Sequence, residues 1–149
     1  MYIRWKDKFE LGNDLIDTQH RMLMLHCRKL DIAIKSRESE QTIRLVILEL
    51  KKFSEFHFAS EETLMHEIGY PDVDNHAITH TGLLKQLESM LVKINQHREV
   101  PDELLIFLDK WIENHITHDD LKIAEYLKKC TKRPIGEHLY DEYIKSVSE

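Results

Sequence analysis

Five histidines and two acids in this chain have the types and spacings of metal ligands: His20, His57, Glu61, His76, His80, His115 and Asp120. His57 and Glu61 stand four apart, as do His76 and His80, and residues four apart on a helix lie on one face, one turn above the other. Each pair therefore presents two donors to the same point of a helical core. Imidazole binds iron, zinc or copper, and a carboxylate can bridge two hard cations and cancel part of their charge. A lone histidine on an apolar stripe is most often a hydrogen-bonded core residue. Seven polar groups on inward stripes are a different matter. Each one buried without a partner costs about 1–3 kcal/mol, and an ionised carboxylate costs more unless it is paired or bound to metal. The set predicts a buried metal site.

The elements that must position these residues read as helices. The chain has 149 residues, enough for one domain with its own core, and among them are only four Gly and three Pro. The spacing predicts a first helix over about 14–34 with His20, Leu23, Cys27, Leu30 and Ile34 on its inner stripe. Ser39 is the expected N-cap of a second helix over about 40–68, with Ile43, Ile47, Leu50, Ser54, His57, Glu61 and Leu64 facing inward. Gly69-Tyr70-Pro71 stops it. A third helix starts near Asp72 or Asp74 and carries His76, His80, Leu83, Leu87, Met90 and Ile94. Val100-Pro101-Asp102 separates it from a fourth, with Leu104, Leu108, Trp111 and His115 inward, which Lys132-Arg133-Pro134-Ile135-Gly136 breaks. Residues 1–13 read as an arm that packs Trp5 and Phe9 on the bundle. In the tail, Leu139, Tyr143 and Val147 form one or two further amphipathic turns. The expected fold class is all-α, an antiparallel up-down four-helix bundle with an N-terminal arm and a short C-terminal extension. It reads as one domain over 1–149, with its core at about 14–130 and the extension at about 131–149.

The fourth helix contains a slip in phase. Helical steps past His115 land on His118 or Asp119, Lys122 and Tyr126, which are polar or mixed, whereas a shift by one residue gives Asp120, Ile123 and Leu127. A single-turn π-bulge inserts one residue in this way, and such bulges gather at functional sites. The slip aims Asp120 into the core beside His115 and leaves His118 and Asp119 outside.

Charge and composition narrow the function. The formal net charge of −6 argues against nucleic acid, which requires a basic footprint. No apolar run is long enough to span a bilayer, and the start, Met1-Tyr2-Ile3-Arg4-Trp5-Lys6-Asp7, lacks an apolar signal core, so a cytoplasmic protein is expected. Cys27 and Cys130 are too few for a disulfide framework; Cys27 reads as a small buried hydrophobe. Asp14 and Asp17 read as solvated charges or helix-start acids, and His26, His66, His97, His118 and His138 as residues on the surface or beside the site. Structural zinc prefers four ligands with thiolates common, fewer than are present here. Ferritin-like di-iron bundles use Glu-x-x-His, which this chain does not contain. Five imidazoles, two bridging carboxylates and one bridging hydroxide fill eleven of the twelve positions of two octahedra, leaving one open for a small ligand.

The sequence resembles the hemerythrin family, in particular the single-domain bacterial members, over roughly residues 2–128. The resemblance rests on Trp5, Ile16-Asp17-Thr18-Gln19-His20, His57-Phe58 to Glu61-Glu62, Met65, Gly69-Tyr70-Pro71, His76 to His80, Leu83-Leu84 and Trp111-Ile112-Glu113-Asn114-His115-Ile116 to Asp120. It implies two iron ions with a bridging hydroxide or oxo group. His76, His80 and His115 would hold the filled iron, His20 and His57 the iron with the open position, and Glu61 and Asp120 would bridge them. It also implies that O2 binds reversibly at the open iron as a hydroperoxide, inside an apolar pocket of Leu23, Phe58, Trp111, Ile112 and Ile116. A dry lining without acids denies the bound species a further proton. Ile112 stands where many relatives have Leu, and Ile123 where relatives often have Tyr. The leading expectation is a non-enzymatic protein for O2 transport, storage or delivery. An O2 or redox sensor is one competitor, and a di-iron oxidoreductase acting on peroxide or nitric oxide is another. Iron storage fits poorly with a closed two-metal set. The C-terminal extension is expected to pack on the bundle, self-associate or dock a protein partner.

Overall fold

Local chemistry marks the starts of the first two α-helices and the end of the second, whereas Asp72, expected as a cap of the third, makes no side-chain capping bond. The Asn13 side chain accepts the Ile16 N–H at 3.0 Å and opens α1, Asp14–Lys35. Ser39 accepts the Thr42 N–H at 3.1 Å and opens α2, Glu40–Ile68, as expected. Gly69 ends α2 at φ +69°, where a side chain would be strained, and the Tyr70 N–H reaches back to the Met65 carbonyl at 2.8 Å. Then follow α3, Val73–Asn95, and α4, Glu103–Asn114. α4 runs through a π-helical turn over His115–Asp120 into α5, Leu121–Lys128, so the three make one rod. The computed structural model describes residues 4–98, 102–131 and 133–149 and shows no strand among them. Met1–Ile3 of the expected arm, Val100 and Pro101 of the expected third break, and Lys132 of the fourth lie outside the described residues.

Four-residue connections fold α1, α2 and α3 back on one another, and their apolar stripes meet in a single core. Cys27, Leu30, Ile47, Leu50, Leu87, Leu104 and Leu108 are each no more than 2 % exposed. The stripe residues expected inward are buried, with Ile34, Ile43, Trp111 and Leu127 half-buried against the same core. No helix among the described residues is long and apolar enough to cross a membrane.

The arm is tied down by more than its aromatics. Trp5 and Phe9 meet edge to face at 5.8 Å, and the Arg21 guanidinium lies 4.3 Å over the Trp5 ring. Lys6 and Lys8 both pair with Glu113, Lys6 at 2.9 Å. Asp17 corrects its reading as a solvated acid. It is 1 % exposed and accepts the Leu11 N–H at 2.9 Å and the Gly12 N–H at 3.1 Å, fixing the arm to α1.

The tail is longer than one or two turns. After Pro134, α6 runs over Ile135–Ser148. Arg133 donates to Glu137 at 3.2 Å and also pairs with Asp141, which supports the first turns. Gly136 comes against Leu15 of α1, and the Thr18 and Tyr140 hydroxyls lie 3.3 Å apart. Ile135, Leu139, Tyr143 and Val147 each stay 60–64 % exposed.

Candidate metal centre

The four rods bring all seven expected residues to one place, near the end of the bundle where α1 and α3 begin. His20 comes from α1, His57 and Glu61 from α2, His76 and His80 from α3, and His115 and Asp120 from the π-helical turn. Every one is at most 5 % exposed. The phase slip is the π turn itself: it carries Asp120 into the core at 0 % exposure while His118 stays outside, its Nδ1 turned to the Asn114 carbonyl at 3.1 Å. None of His26, His66, His97 or His138 is buried.

Their ligand atoms form two overlapping groups, each within 4.8 Å: Glu61, His76, His80, His115 and Asp120 in one, and His20, His57, Glu61 and Asp120 in the other. The carboxylates divide their oxygens between the groups. Glu61 Oε1 lies 3.2 Å from His20 Nε2 and 3.1 Å from His57 Nε2, while its Oε2 lies 3.1 Å from His80 Nε2 and 3.5 Å from His76 Nε2. Asp120 Oδ2 faces His20 Nε2 at 3.0 Å, and Oδ1 faces His76 and His115 Nε2 at 3.1 and 3.0 Å. This is the shape of two cation positions sharing two carboxylates.

Proton accounting supports a cation there. The outer ring nitrogens of three histidines donate away from the centre: His57 Nδ1 to Gln19 Oε1 at 2.8 Å, His80 Nδ1 to Glu62 Oε1 at 3.1 Å, and His115 Nδ1 to Asp119 Oδ2 at 3.0 Å. A neutral imidazole with its proton on Nδ1 has only a lone pair on Nε2. His80 and His115 nevertheless bring their Nε2 atoms to 3.0 Å of each other. Buried His57 Nε2, His76 Nε2, Glu61 Oε2 and both Asp120 oxygens make no hydrogen bond. So many acceptors turned on one another need positive charge between them.

Without a metal, protons supply that charge. Burial opposes an imidazolium at His20 and His76, but the Asp120 and Glu61 carboxylates outweigh it and push both up to about 9. At His115 burial is again outweighed, by the charge of Asp120 and the bond to Asp119, and the group rises to about 10. Burial works against the anions too, yet the imidazoles hold Glu61 and Asp120 well below the usual carboxylate range. A metal must displace these protons, so binding releases them.

Residues 11–127 match the family model described as the hemerythrin HHE cation binding domain. The chain belongs to the hemerythrin family. It is 36 % identical over 122 residues to a bacteriohemerythrin of Clostridium acetobutylicum, covering 78 % of this chain and 94 % of that one. A bacteriohemerythrin of Pseudomonas aeruginosa is 30 % identical over 148 residues, 99 % of this chain and 90 % of the relative. A crystal structure of wild-type hemerythrin superposes with a TM-score of 0.77 at 26 % identity, covering 85 % of this chain and 98 % of that one. The family model thus accounts for α1 to α5 and stops before α6, which the match to the Pseudomonas aeruginosa relative does include.

Two of the apolar side chains named with the site lie against it. Phe58 stacks on the His80 ring at 3.9 Å, and Trp111 stacks on His115 at 4.3 Å. Leu23, Phe58, Ile112 and Ile116 are each at most 3 % exposed. Sequence reasoning missed the acceptors Gln19, Glu62 and Asp119, and placed Asp119 outside with no task. It is half-buried, and its bond from His115 holds its carboxyl below the usual range. A metal-bound histidine almost always donates its other ring N–H. The polar residues next to His20, Glu61 and Asp120 were therefore the available signal.

Proposed function

We propose that this protein binds O2 reversibly at two iron ions held by His20, His57, Glu61, His76, His80, His115 and Asp120. The observation that carries the reading is the division of the Glu61 and Asp120 oxygens between a three-histidine and a two-histidine group. The group with fewer imidazoles, His20 and His57, is the one that would leave a coordination position free. Two iron ions would supply the electrons that hold O2 when it is bound. Glu61 and Asp120 keep the two positions at a fixed separation and balance their charge.

The remaining residues decide what happens after O2 arrives. Leu23, Phe58, Ile112 and Ile116 keep water out, and none of their side chains can donate a proton. Trp111 has only a weakly acidic indole N–H. O2 therefore leaves as it came, which favours a carrier, store or delivery protein over an oxidoreductase.

The test is the visible spectrum of reduced, iron-loaded protein, recorded before oxygen, after oxygen and after its removal, with metal analysis of the same sample. A new band that appears with oxygen and vanishes without it, at two irons per chain, is the expected result. Rapid turnover of peroxide or nitric oxide with no reversible band would replace the carrier with an enzyme. One zinc and no iron would overturn the di-iron site.

A further inference from the structure

The acceptors behind the histidines are unequal. On the three-histidine side, His80 and His115 donate to carboxylates, Glu62 at 3.1 Å and Asp119 at 3.0 Å. On the two-histidine side, His57 donates to the neutral amide of Gln19 at 2.8 Å. The Gln19 Nε2 donates in turn to Ser60 Oγ at 3.0 Å, which holds the amide with its oxygen toward the ring. His20 Nδ1 is buried and has no hydrogen-bond partner among the described residues.

An anionic acceptor pulls the Nδ1 proton outward and makes Nε2 a stronger donor to a cation. A neutral amide fixes the tautomer and the ring orientation but adds less electron density. Changing such an outer partner alters metal affinity by about 10–100-fold. We infer that Gln19, Glu62 and Asp119 are positioning residues that grade the two metal positions. By this grading the His76/His80/His115 position fills first and empties last, and the His20/His57 position is kept weak by its uncharged backing. The inference rests on the two-metal reading above and adds an order to it. The weak position is the one with the free coordination site, so Gln19 sets how firmly the oxygen-binding metal is held.

The experiment is a calorimetric titration of the metal-free full-length chain with Co2+, without oxygen, followed in parallel by the visible bands of bound Co2+. Wild type should take two ions per chain in two steps, tight then weak. Gln19→Glu, close in shape but charged, should strengthen the weak step by about 10-fold or more, whereas Gln19→Leu should weaken it by a similar factor. Glu62→Gln combined with Asp119→Asn should weaken the tight step and leave two ions per chain. Opposite signs at position 19 separate an electronic effect from damage to packing, and circular dichroism checks that each variant folds. Two ions bound, with Gln19→Glu and Gln19→Leu both weakening binding, or with the tight step responding to position 19, would overturn the grading while leaving the two-metal site intact. A single ion per wild-type chain would overturn both.

Discussion

At the end of the bundle where α1 and α3 begin, seven ionisable side chains share the core. At the end where they finish, the core is Leu30, Ile47, Leu50, Leu87, Leu104 and Leu108. A buried acid there, Asp31, is held by Arg28 at 2.6 Å and Lys35 at 2.8 Å. The apolar end gains stability from area removed from water. The polar end buries groups whose mutual arrangement is unfavourable until a cation joins them. The same four rods run through both, so the apolar end can hold the donor set in place before metal arrives. Such preorganisation is what a tight, geometrically selective site requires.

The comparison breaks first at Glu61 and Asp120, the two acids that belong to both groups. Glu61→Ala or Asp120→Ala should remove most of the metal, because each takes a ligand from both positions at once. Elemental analysis after iron loading and desalting reads this directly, and full retention of two irons would show that neither acid bridges. At the opposite end, Leu50→Ala should cost about 2–5 kcal/mol in denaturant unfolding and keep two irons per chain under native conditions. Parallel loss of iron would show that the ends are not separable.

A polar intrusion into the apolar lining sharpens the contrast on the site's own ground. Ile112→Glu should leave the iron content nearly unchanged, since Ile112 is not a ligand, while the oxygen-dependent band decays faster. An unchanged decay would remove Ile112 from the pocket. Cys27 offers a chemical probe of packing at the apolar end, with Cys130, at the other end beside Ile68, as its comparison. Burial, with the charge of Asp109, pushes Cys27 up to about 12, so it should resist alkylation in the native protein near neutral pH, while the half-buried Cys130 reacts. Rapid labelling of Cys27, seen by peptide mass, would mean that this end opens readily.

The smallest effect concerns two turns at the apolar end. Arg37 and His97 sit at φ +53° and +54°, which costs a residue with a side chain about 1 kcal/mol or more. Gly69 meets the same demand at the other end without that penalty. Arg37→Gly should therefore raise the unfolding midpoint slightly with iron content unchanged. A lower midpoint would mean that contacts of the Arg37 side chain outweigh its backbone strain.

Much of this arrangement was legible because helical periodicity is local. The stripes of α1, α2 and α3, the Ser39 cap and the Gly69 stop follow from spacings of three and four residues and from backbone chemistry. Even the π turn could be read, since a one-residue slip in phase leaves a mark in the order of polar and apolar residues. Asp17 could not be read this way. Acids in the first turn of a helix are ordinarily solvated, and nothing local says that residues 11 and 12 fold back onto this one. The extent of α6 was underestimated because its apolar residues meet little of the bundle, leaving a weak signal of where the helix ends.

By itself, then, the sequence determined which residues are donors, which helix carries each, and that their stripes must converge, because these depend on residue type and on the 3.6-residue period. The tertiary structure decided how the donors divide. Only the packing of α2 between α1 and α3 sends Glu61 Oε1 to His20 and His57 and Oε2 to His76 and His80. Only the approach of neighbouring helices sets an amide behind His57 and a carboxylate behind His80. Those choices depend on distances of a few ångströms between side chains as many as 41 residues apart, and no period in the sequence encodes them.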